Sequence, residues 1–344
     1  MRKMLNVLYV THPDAYLSKI GETIAIKIKD EEVKRIPTHN LEGIVCFGYQ
    51  GSSPQLMAMC AEKGIGLSFV TEYGKFLCRV NGKISGNVLL RKQQYRLSDH
   101  RIKSGNIARG FVLGKLLNCR SILMRFKREH LELCDTNYLA NLEQLQEIIG
   151  KVNKSIDVDV DTIRGLEGIA AKIYFDCFNA LILKNKDSFY FEGRNKRPPL
   201  DRMNALLSFI YTLLSHDVTS ALETVGLDPQ VGFLHRDRPG RNSLALDLME
   251  ELRPYLADRV ALTLINTGVI TEKDFLEKEN GAVLLHDESR KVVLTHWQKR
   301  KQDMITHPFL GEKIEVGLIP YAQALIMARC IRGDMEDYPP FIVK

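Results

Sequence analysis

The first part of the chain alternates between short apolar runs and polar turns. Residues 23–28 place apolar side chains at every second position, which is the period of a β-strand with one buried face. Similar strand patterns occur at 5–10, 33–37, 43–47, 66–70 and 76–80. One helix is predicted among them, because Ser53 supplies an N-cap, Pro54 suits the first helical turn, and Gly64 follows the last apolar position.

From residue 98 onward the apolar positions recur every three to four residues, which is the period of an amphipathic helix. Helices are predicted near 98–130, 137–151, 158–183, 201–225, 271–277 and 313–332. The polar residues 91–97 lie between the two patterns. The predicted fold class is therefore α+β: a small β-rich N-terminal domain (1–90), a linker (91–97) and a larger all-helical C-terminal domain (98–344).

Composition narrows the class of protein. The chain has 344 residues, of which 45% are hydrophobic and 26% are charged, as in ordinary globular proteins with two domains. No apolar run approaches the roughly 20 residues of a membrane span, and the apolar start is too short for a secretory signal. The seven cysteines form no C-x-x-C pair and predict neither zinc nor disulfides. We therefore expect a cytoplasmic protein.

Basic charge is concentrated in one stretch. Residues 101–130 hold eight Lys or Arg and one Glu, whereas 131–344 hold 26 basic and 32 acidic residues. A polyanion that is bound along the basic helix and processed in the acidic part would explain this distribution. Alternatively, the basic stretch is only a soluble helix surface. The candidate DNA-binding residues on this helix are Arg120, Arg125, Lys127 and Arg128.

A loop and the helix after it, residues 232–258, carry the most suggestive cluster. His235 lies in the loop, and Asp247, Glu250, Glu251 and Asp258 fall on one arc of the predicted helix. Carboxylates beside an imidazole are suitable ligands for a divalent metal. Alternatively, these acids form an ordinary solvated helix face. Pro254 has no N–H for the carbonyl of Glu250, so the helix should be irregular beside the acids.

A second unusual stretch places Gly165 and Gly168 around Glu167 within a strong helical pattern. Small residues on a helix permit close packing of another helix or close approach of a ligand, and both explanations stay open. The dipeptides at 216–217 and 286–287 have the His-Asp form that metal-binding phosphohydrolases use, but a two-residue match is weak. Nucleotide-binding and serine-hydrolase motifs do not occur in the sequence.

Three motifs together resemble those of the CRISPR-associated integrase–endonuclease family of spacer acquisition. They are R-G-L-E-G at 164–168, G-F-L-H at 232–235 and S-L-A-L-D-L-M-E-E-L-R-P at 243–254. The resemblance covers the whole chain and is to members from type I-C loci. It implies that Glu167, His235 and Glu250 are catalytic and bind Mg²⁺ or Mn²⁺, with Asp247 as a supporting acid. Glu250 stands where other members often carry Asp, and spacing alone does not choose it over Glu251.

The resemblance also implies a reaction and partners. Family members join the 3′-hydroxyl of a short DNA fragment, the spacer, to a CRISPR repeat beside its leader by transesterification. They act as homodimers, here through the N-terminal domain, with a small partner protein of the adaptation complex. An accessory nuclease processes the fragment ends, and no membrane is involved. Two alternatives remain: a stand-alone structure-specific DNA nuclease, and a non-enzymatic DNA-binding scaffold whose carboxylates only stabilise a helix.

Basic residues near the motifs are candidates for contact with DNA. Arg236, Arg238 and Arg241 could bind phosphates near the cut strand. Alternatively, they pair with Asp237 and Glu251. The basic helix and the loop 194–197 are expected to bind the DNA backbone without sequence preference, and that binding should weaken with salt.

Overall fold

Strands form within each of the predicted stretches, and a further strand at Ala15–Ile20 was not predicted. The computed structural model describes residues 7–39, 41, 43–71, 76–80, 82, 88–195 and 198–343. The elements of the first part are β1 (Val7–Val10), β2 (Ala15–Ile20), β3 (Thr23–Ile28), β4 (Glu31–Pro37), β5 (Gly43–Phe47), α1 (Pro54–Lys63), β6 (Gly66–Val70) and β7 (Phe76–Val80). The Ser53 hydroxyl accepts a hydrogen bond from the N–H of Leu56, and α1 ends at Gly64, whose φ of 65° is left-handed.

These strands form two sheets. In the first, ordered β1-β5-β6-β7, β5 is parallel to both of its neighbours and β7 is antiparallel to β6. In the second, β2, β3 and β4 form an antiparallel meander. Helix α1 packs against β2 and β6. The shared core contains the fully buried side chains of Leu17, Ile24, Ile44, Leu56 and Leu67.

The rest of the chain is mainly helical. Its helices are α2 (Val88–Asp99), α3 (Arg101–Glu129), α4 (Thr136–Lys154), α5 (Val160–Asp176), α6 (Arg202–Thr224), α7 (Ser243–Glu250), α8 (Arg259–Asn266), α9 (Asp287–Lys301) and α10 (Ile319–Arg332). Short 3-10 turns lie at Leu131–Leu133, Phe178–Leu181, Glu272–Asp274 and Val316–Leu318, and a π-helical turn lies at Arg253–Asp258. Three-residue strands form two small sheets: β8 (Phe275–Glu277) with β9 (Val283–Leu285), and β10 (Met304–Thr306) with β11 (Lys313–Glu315).

The mixed α+β class is confirmed, but two details of the prediction differ from the structure. The C-terminal part is not all-helical, because β8 to β11 lie within it. The expected linker, 91–97, lies inside α2, which packs against α3 and α10. Its polar composition is misleading, since Gln94 is buried and its amide donates to the carbonyls of Asp228 and Val231 at 2.8 Å each.

The chain divides into two compact units whose boundaries are not contiguous in sequence. The first unit contains the described residues up to 85 together with 285–305 and 314–318, and the second contains 86–284, 306–313 and 319 onward. Helix α9, which the sequence pattern assigned to the helical domain, therefore groups with the N-terminal strands. Within that unit Trp297 is buried and Gln298 donates to the carbonyl of Val7 at 3.3 Å.

Helix α3 is central to the second unit, where it packs against α2, α4, α5, α7 and the π-helical turn. At Gly114 the packing leaves no room for a side chain. A Cβ there would lie 2.7 Å from Pro340 and 2.9 Å from the Cβ of Glu251. Helix α6 is long and apolar enough to cross a membrane, but 61% of the relevant window is buried inside this unit. The core of the second unit thus brings α3, α5 and α7 together.

Candidate metal centre

The loop that carries His235 is fixed by one buried carboxylate. Asp247, on α7, is fully buried and accepts hydrogen bonds from the backbone N–H groups of Phe233 at 2.6 Å, Leu234 at 2.9 Å and His235 at 2.9 Å. The Arg164 guanidinium also fixes this loop, since it donates to the carbonyl of Leu234 at 2.6 and 2.9 Å. The loop conformation is therefore set by side chains from α5 and α7 before any ligand binds.

Asp247 also orients the imidazole. Its Oδ1 lies 2.7 Å from Nδ1 of His235, and because an ionised carboxylate only accepts, Nδ1 carries the proton in that contact. The lone pair of the neutral ring is then on Nε2, which points toward Glu250, 3.8 Å from its Oε1. A carboxylate behind a histidine is a common arrangement behind metal-binding imidazoles.

A glycine makes the close approach of loop and helix possible. At Gly232 a Cβ would lie 2.7 Å from Oδ2 of Asp247 and 2.9 Å from the Cβ of Ser243. Any side chain at this position would push the loop away from α7. The G-F-L-H motif therefore has a physical reason for its first residue as well as for its last.

Glu250 is the last residue of α7 and is almost completely buried. Arg253 Nη1 lies 2.8 Å from its Oε1, and Lys115 Nζ lies 2.8 Å from its Oε2. Each carboxylate oxygen of Glu250 thus has its own cationic partner. The irregularity predicted beside the acids is present, because the α-helix ends at Glu250 and a π-helical turn follows at Arg253–Asp258.

Lys115 joins the third candidate ligand to this cluster. It lies in the middle of α3, and its ammonium donates to Oε1 of Glu167 on α5 while it also pairs with Glu250. The side chains of Glu167 and His235 are 20% and 21% exposed, whereas that of Glu250 is 3% exposed. Glu167 and Glu250 thus share one ammonium group, and His235 adjoins Glu250, with Glu167 and His235 the more exposed of the three.

The charges of the cluster support one another. Burial disfavours the charged form of Lys115, but Glu250 and Glu167 outweigh burial, and the pKa of Lys115 is raised above its ordinary value. Burial likewise opposes ionisation of Glu250, but Arg253 and Lys115 hold its pKa below the ordinary range. The Glu250 carboxyl and the Lys115 ammonium are therefore both charged at neutral pH.

The donor set fits a divalent cation once the ammonium is displaced. Within the described part of the chain, no three His, Cys, Asp or Glu side chains are placed closely enough to hold a metal ion as they stand. Lys115 lies between Glu167 and Glu250, where a cation bound by both would lie. Two carboxylates and an oriented imidazole are the ligand types that Mg²⁺ and Mn²⁺ accept.

Comparison with known proteins decides the family. Residues 8–299 match the family described as CRISPR associated protein Cas1. The chain belongs to the Cas1 family. It is 50% identical to CRISPR-associated endonuclease Cas1 1 of Chlorobaculum tepidum over 343 residues, which are 99% of each chain. Proteins of this family are named endonucleases, and they are generally metal-dependent. The chain is accordingly an enzyme of the endonuclease and integrase class.

Two solved structures share the fold. A casposase bound to integration product superposes with a TM-score of 0.82 at 22% identity, over 98% of this chain and 94% of that one. A chain of a Cas6-RT-Cas1–Cas2 complex has a TM-score of 0.82 at 22% identity. That match covers 99% of this chain but 36% of the other, so this chain spans about a third of it. At these identities the likeness shows the shared Cas1 fold.

The acids of this Cas1 chain do not share one surface. Asp247, Glu250, Glu251 and Asp258 are all buried, so the alternative of a solvated helix face is wrong. Glu251 turns away from Glu250 and accepts hydrogen bonds from the Tyr338 hydroxyl at 2.5 Å and the N–H of Phe341 at 2.8 Å. Without a cation nearby, burial raises the pKa of Glu251 to about 8.

Asp258 belongs to a separate polar cluster of the same unit. Its carboxylate accepts hydrogen bonds from the hydroxyls of Tyr174 at 2.9 Å and Tyr211 at 2.7 Å, and burial raises its pKa to about 6. The guanidinium groups of Arg194 and Arg253 lie over the Tyr211 ring, 5.1 and 5.0 Å from its centroid. Arg253 therefore connects this cluster to Glu250.

The candidate DNA-binding arginines differ in their surroundings. Arg236 and Arg238 are exposed, and Arg236 pairs with Asp161 at 3.1 Å. The alternative partner Glu251 is buried against the C-terminal segment instead. Arg241 is partly buried. On α3, Arg125 and Arg128 are exposed, Arg120 and Lys127 are partly buried, and Arg125 pairs with Glu129 at 2.9 Å.

The loop 194–197 does not present its first arginine to DNA. Arg194 points inward, where it donates to Asn204 Oδ1 at 2.7 Å and Ser208 Oγ at 3.0 Å. Residues 196 and 197 lie outside the described residues. The His-Asp dipeptides at 216–217 and 286–287 belong to no described group of three metal-binding side chains.

Lys115 and Arg253 are the site residues that the sequence analysis missed. Both left a signal. Lys115 is a lone charge in the run F-V-L-G-K-L-L-N-C at 111–119, which is otherwise uncharged and mostly apolar. A charge in such a run must find a partner when it is buried. Arg253 follows Glu250 by three residues, the spacing at which side chains meet on a helix.

Proposed function

We propose that this Cas1 chain is a metal-dependent DNA strand-transferase that inserts short DNA fragments at CRISPR repeats. The observation that carries the proposal is the contact of one ammonium, that of Lys115, with both Glu167 and Glu250. Nε2 of His235 lies 3.8 Å from Oε1 of Glu250, and Asp247 lies behind the imidazole. The membership of an endonuclease family and the likeness to a casposase bound to integration product support it.

Glu167, His235 and Glu250 would hold Mg²⁺ or Mn²⁺. When bound, the ion polarises a phosphoryl oxygen and stabilises negative charge on the attacking or leaving oxygen. Asp247 keeps Nε2 of His235 available by accepting a hydrogen bond from Nδ1–H, and Arg253 holds Oε1 of Glu250 in place. Glu167 is the more exposed carboxylate of the pair, so it faces the side from which substrate enters.

In the reaction, the 3′-hydroxyl oxygen of the fragment attacks a repeat phosphorus. The attacking hydroxyl loses its proton as the new P–O bond forms, the P–O3′ bond on the other side of that phosphorus breaks, and the departing 3′-oxygen takes up a proton, so no proton is gained or lost overall. Exposed Arg236 and Arg238 lie on the loop of His235, where they can bind phosphates of the strands being exchanged. Exposed Arg125 and Arg128 of α3 supply contacts to the DNA backbone.

The partners follow from the same proposal. The chain works as a homodimer through its N-terminal strands and with a small partner of the kind named Cas2 in a complex of similar fold. It acts in the cytoplasm, where an accessory nuclease trims the fragment ends. The assignment to type I-C is also a proposal, and it rests on the resemblance of the three motifs.

An integration assay tests the function. Labelled DNA fragment, supercoiled repeat plasmid, purified partner and Mn²⁺ or Mg²⁺ should give joined products with the wild-type chain. Alanine at Glu167, His235 or Glu250 should abolish joining, while binding to DNA in EDTA stays within a few fold of wild type. His286→Ala is a matched control, because His286 is exposed and belongs to the other unit. Normal joining by folded His235→Ala protein would refute the site.

A nuclease that uses water at the same site is the second candidate, and the name endonuclease of the relatives favours it. Its products separate the two reactions. Strand transfer yields a plasmid covalently linked to the labelled fragment, whereas hydrolysis yields shortened plasmid strands without label. Loss of both products in His235→Ala would assign both reactions to one site.

A further inference from the structure

Lys115 has surroundings that an ordinary buried lysine lacks. Its side chain is 8% exposed and lies in the middle of α3, and its ammonium contacts carboxylates from two other helices, Glu167 of α5 and Glu250 of α7. An ammonium is expensive to bury unless it is paired. Its placement between these carboxylates therefore reflects a requirement for positive charge at that position.

The charges show what the ammonium does there. Glu250 has a second cation, Arg253 at 2.8 Å, whereas Lys115 is the ion-pair partner that the described residues provide for Glu167. The oxygens of Asp247 are occupied by hydrogen bonds from three backbone N–H groups and the imidazole, so Asp247 is held by contacts other than Lys115. Lys115 thus neutralises Glu167 and holds it beside Glu250.

A divalent ion cannot share this position with the ammonium. Mg²⁺ and Mn²⁺ bind carboxylate oxygens at roughly 2.0–2.3 Å, and the ammonium already lies 2.8 Å from Oε2 of Glu250. Two cations held by the same pair of carboxylates would repel each other at short range. The lysine has four flexible methylene groups, so its ammonium can move while its helix stays in place.

We propose that Lys115 is the resident counter-ion of the metal site, which keeps Glu167 and Glu250 together in the metal-free protein and is displaced when a divalent ion binds. This inference rests on the proposed function, since it concerns the same site. It makes Lys115 a positioning residue for the free enzyme and a competitor of the metal.

Calorimetric titration of Mn²⁺ into the full-length protein without DNA tests the competition. Lys115→Met keeps the length and removes the charge, and we expect it to bind Mn²⁺ at least tenfold more tightly than wild type. In EDTA its melting temperature should fall, and saturating Mn²⁺ should restore it. Lys151→Met is the matched control, because Lys151 is exposed on α4 and its loss should leave affinity unchanged.

The outcomes separate the two proposals. Absence of Mn²⁺ binding by the wild type refutes the metal site itself. Binding by the wild type with equal or weaker binding by Lys115→Met overturns the counter-ion role and leaves the metal site standing.

If Lys115→Met does not fold, acetylation of the wild-type protein followed by mass spectrometry decides the question. Lys115 should be acetylated several-fold faster with saturating Mn²⁺ than in EDTA, and the exposed Lys151 should not change. Equal acetylation of Lys115 in both conditions overturns displacement.

Discussion

Two glycines beside Glu167 allow a prediction that separates stability from activity. Gly165 and Gly168 lie inside α5, and a Cβ built on either would meet nothing within 4 Å among the described residues. Packing of another helix in this chain, one of the two explanations open from the sequence, is therefore wrong. Both glycines are exposed, and the space beside them is open to solvent.

The magnitude follows from helix propensity. Glycine in a helix interior is less favourable than alanine by about 0.5–1 kcal/mol, and no neighbour has to move to accept the methyl group. Gly165→Ala and Gly168→Ala should each raise the free energy of unfolding by that amount, and the double variant by about 1–2 kcal/mol. In a unit of this size each kcal/mol raises the melting temperature by roughly 2–4 °C.

Activity should move in the opposite direction. If DNA approaches α5 to reach Glu167, a methyl group at Gly165 or Gly168 occupies part of its path, and strand transfer should fall at least tenfold while stability rises. Gly150→Ala is the matched control, because Gly150 lies in α4 with equally open space. It should bring the same stabilisation and leave integration unchanged.

Urea unfolding in EDTA and the plasmid integration assay measure the two effects. Stabilised Gly165→Ala and Gly168→Ala proteins that integrate as well as Gly150→Ala would refute the approach of DNA along α5. Destabilised variants would show that the space is filled in solution, for example by a second copy of the chain.

Three further variants test the support of the site. Asp247→Asn should lower stability by about 2 kcal/mol or more, since buried N–H groups lose acceptors, and should weaken Mn²⁺ binding roughly 10–100-fold; unchanged calorimetry would contradict this. The raised pKa of Glu251, about 8 against an ordinary 4.5, means that wild-type stability falls as pH rises between those values. Relative to Glu251→Gln the fall should be about 1.4 kcal/mol per pH unit, and parallel urea-unfolding profiles would refute it. Arg125→Glu with Arg128→Glu should weaken DNA binding and reduce its salt slope by about 0.9 for each lost phosphate contact; an unchanged slope would show that these residues face elsewhere.

Local signals predicted much of the fold. α1 begins after Ser53 and ends before Gly64 as the sequence indicated, and α6, predicted over 201–225, spans Arg202–Thr224. These boundaries depend on one or two neighbouring residues, so they are readable without tertiary information. The grouping of α9 with the N-terminal strands was not readable, because it depends on contacts such as that of Gln298 with Val7, almost 300 residues apart.

The candidate site likewise combines features that the local sequence predicts with features that depend on tertiary contacts. Spacing could not separate Glu250 from Glu251, because both carry carboxylates on adjacent positions of one helix. In the structure they point in different directions, about 100° apart around the axis, and only Glu250 meets Lys115 and His235. Glu251 instead accepts hydrogen bonds from Tyr338 and Phe341 in the C-terminal segment. The motif resemblance made the choice that the pattern could not make.

Sequence motifs of metal ligands do not identify Lys115 as part of the site. Its partners Glu167 and Glu250 follow it by 52 and 135 residues, and no local pattern relates such distant positions. Yet Glu167 and Glu250 are paired without a metal, since these two carboxylates face two cations, Lys115 and Arg253. If a metal were needed to bring these acids together, they would lie apart in its absence. Ion pairs from α3, α5 and α7 hold Glu167 and Glu250 in place without it, so the proposed metal would bind to carboxylates that the fold already brings together.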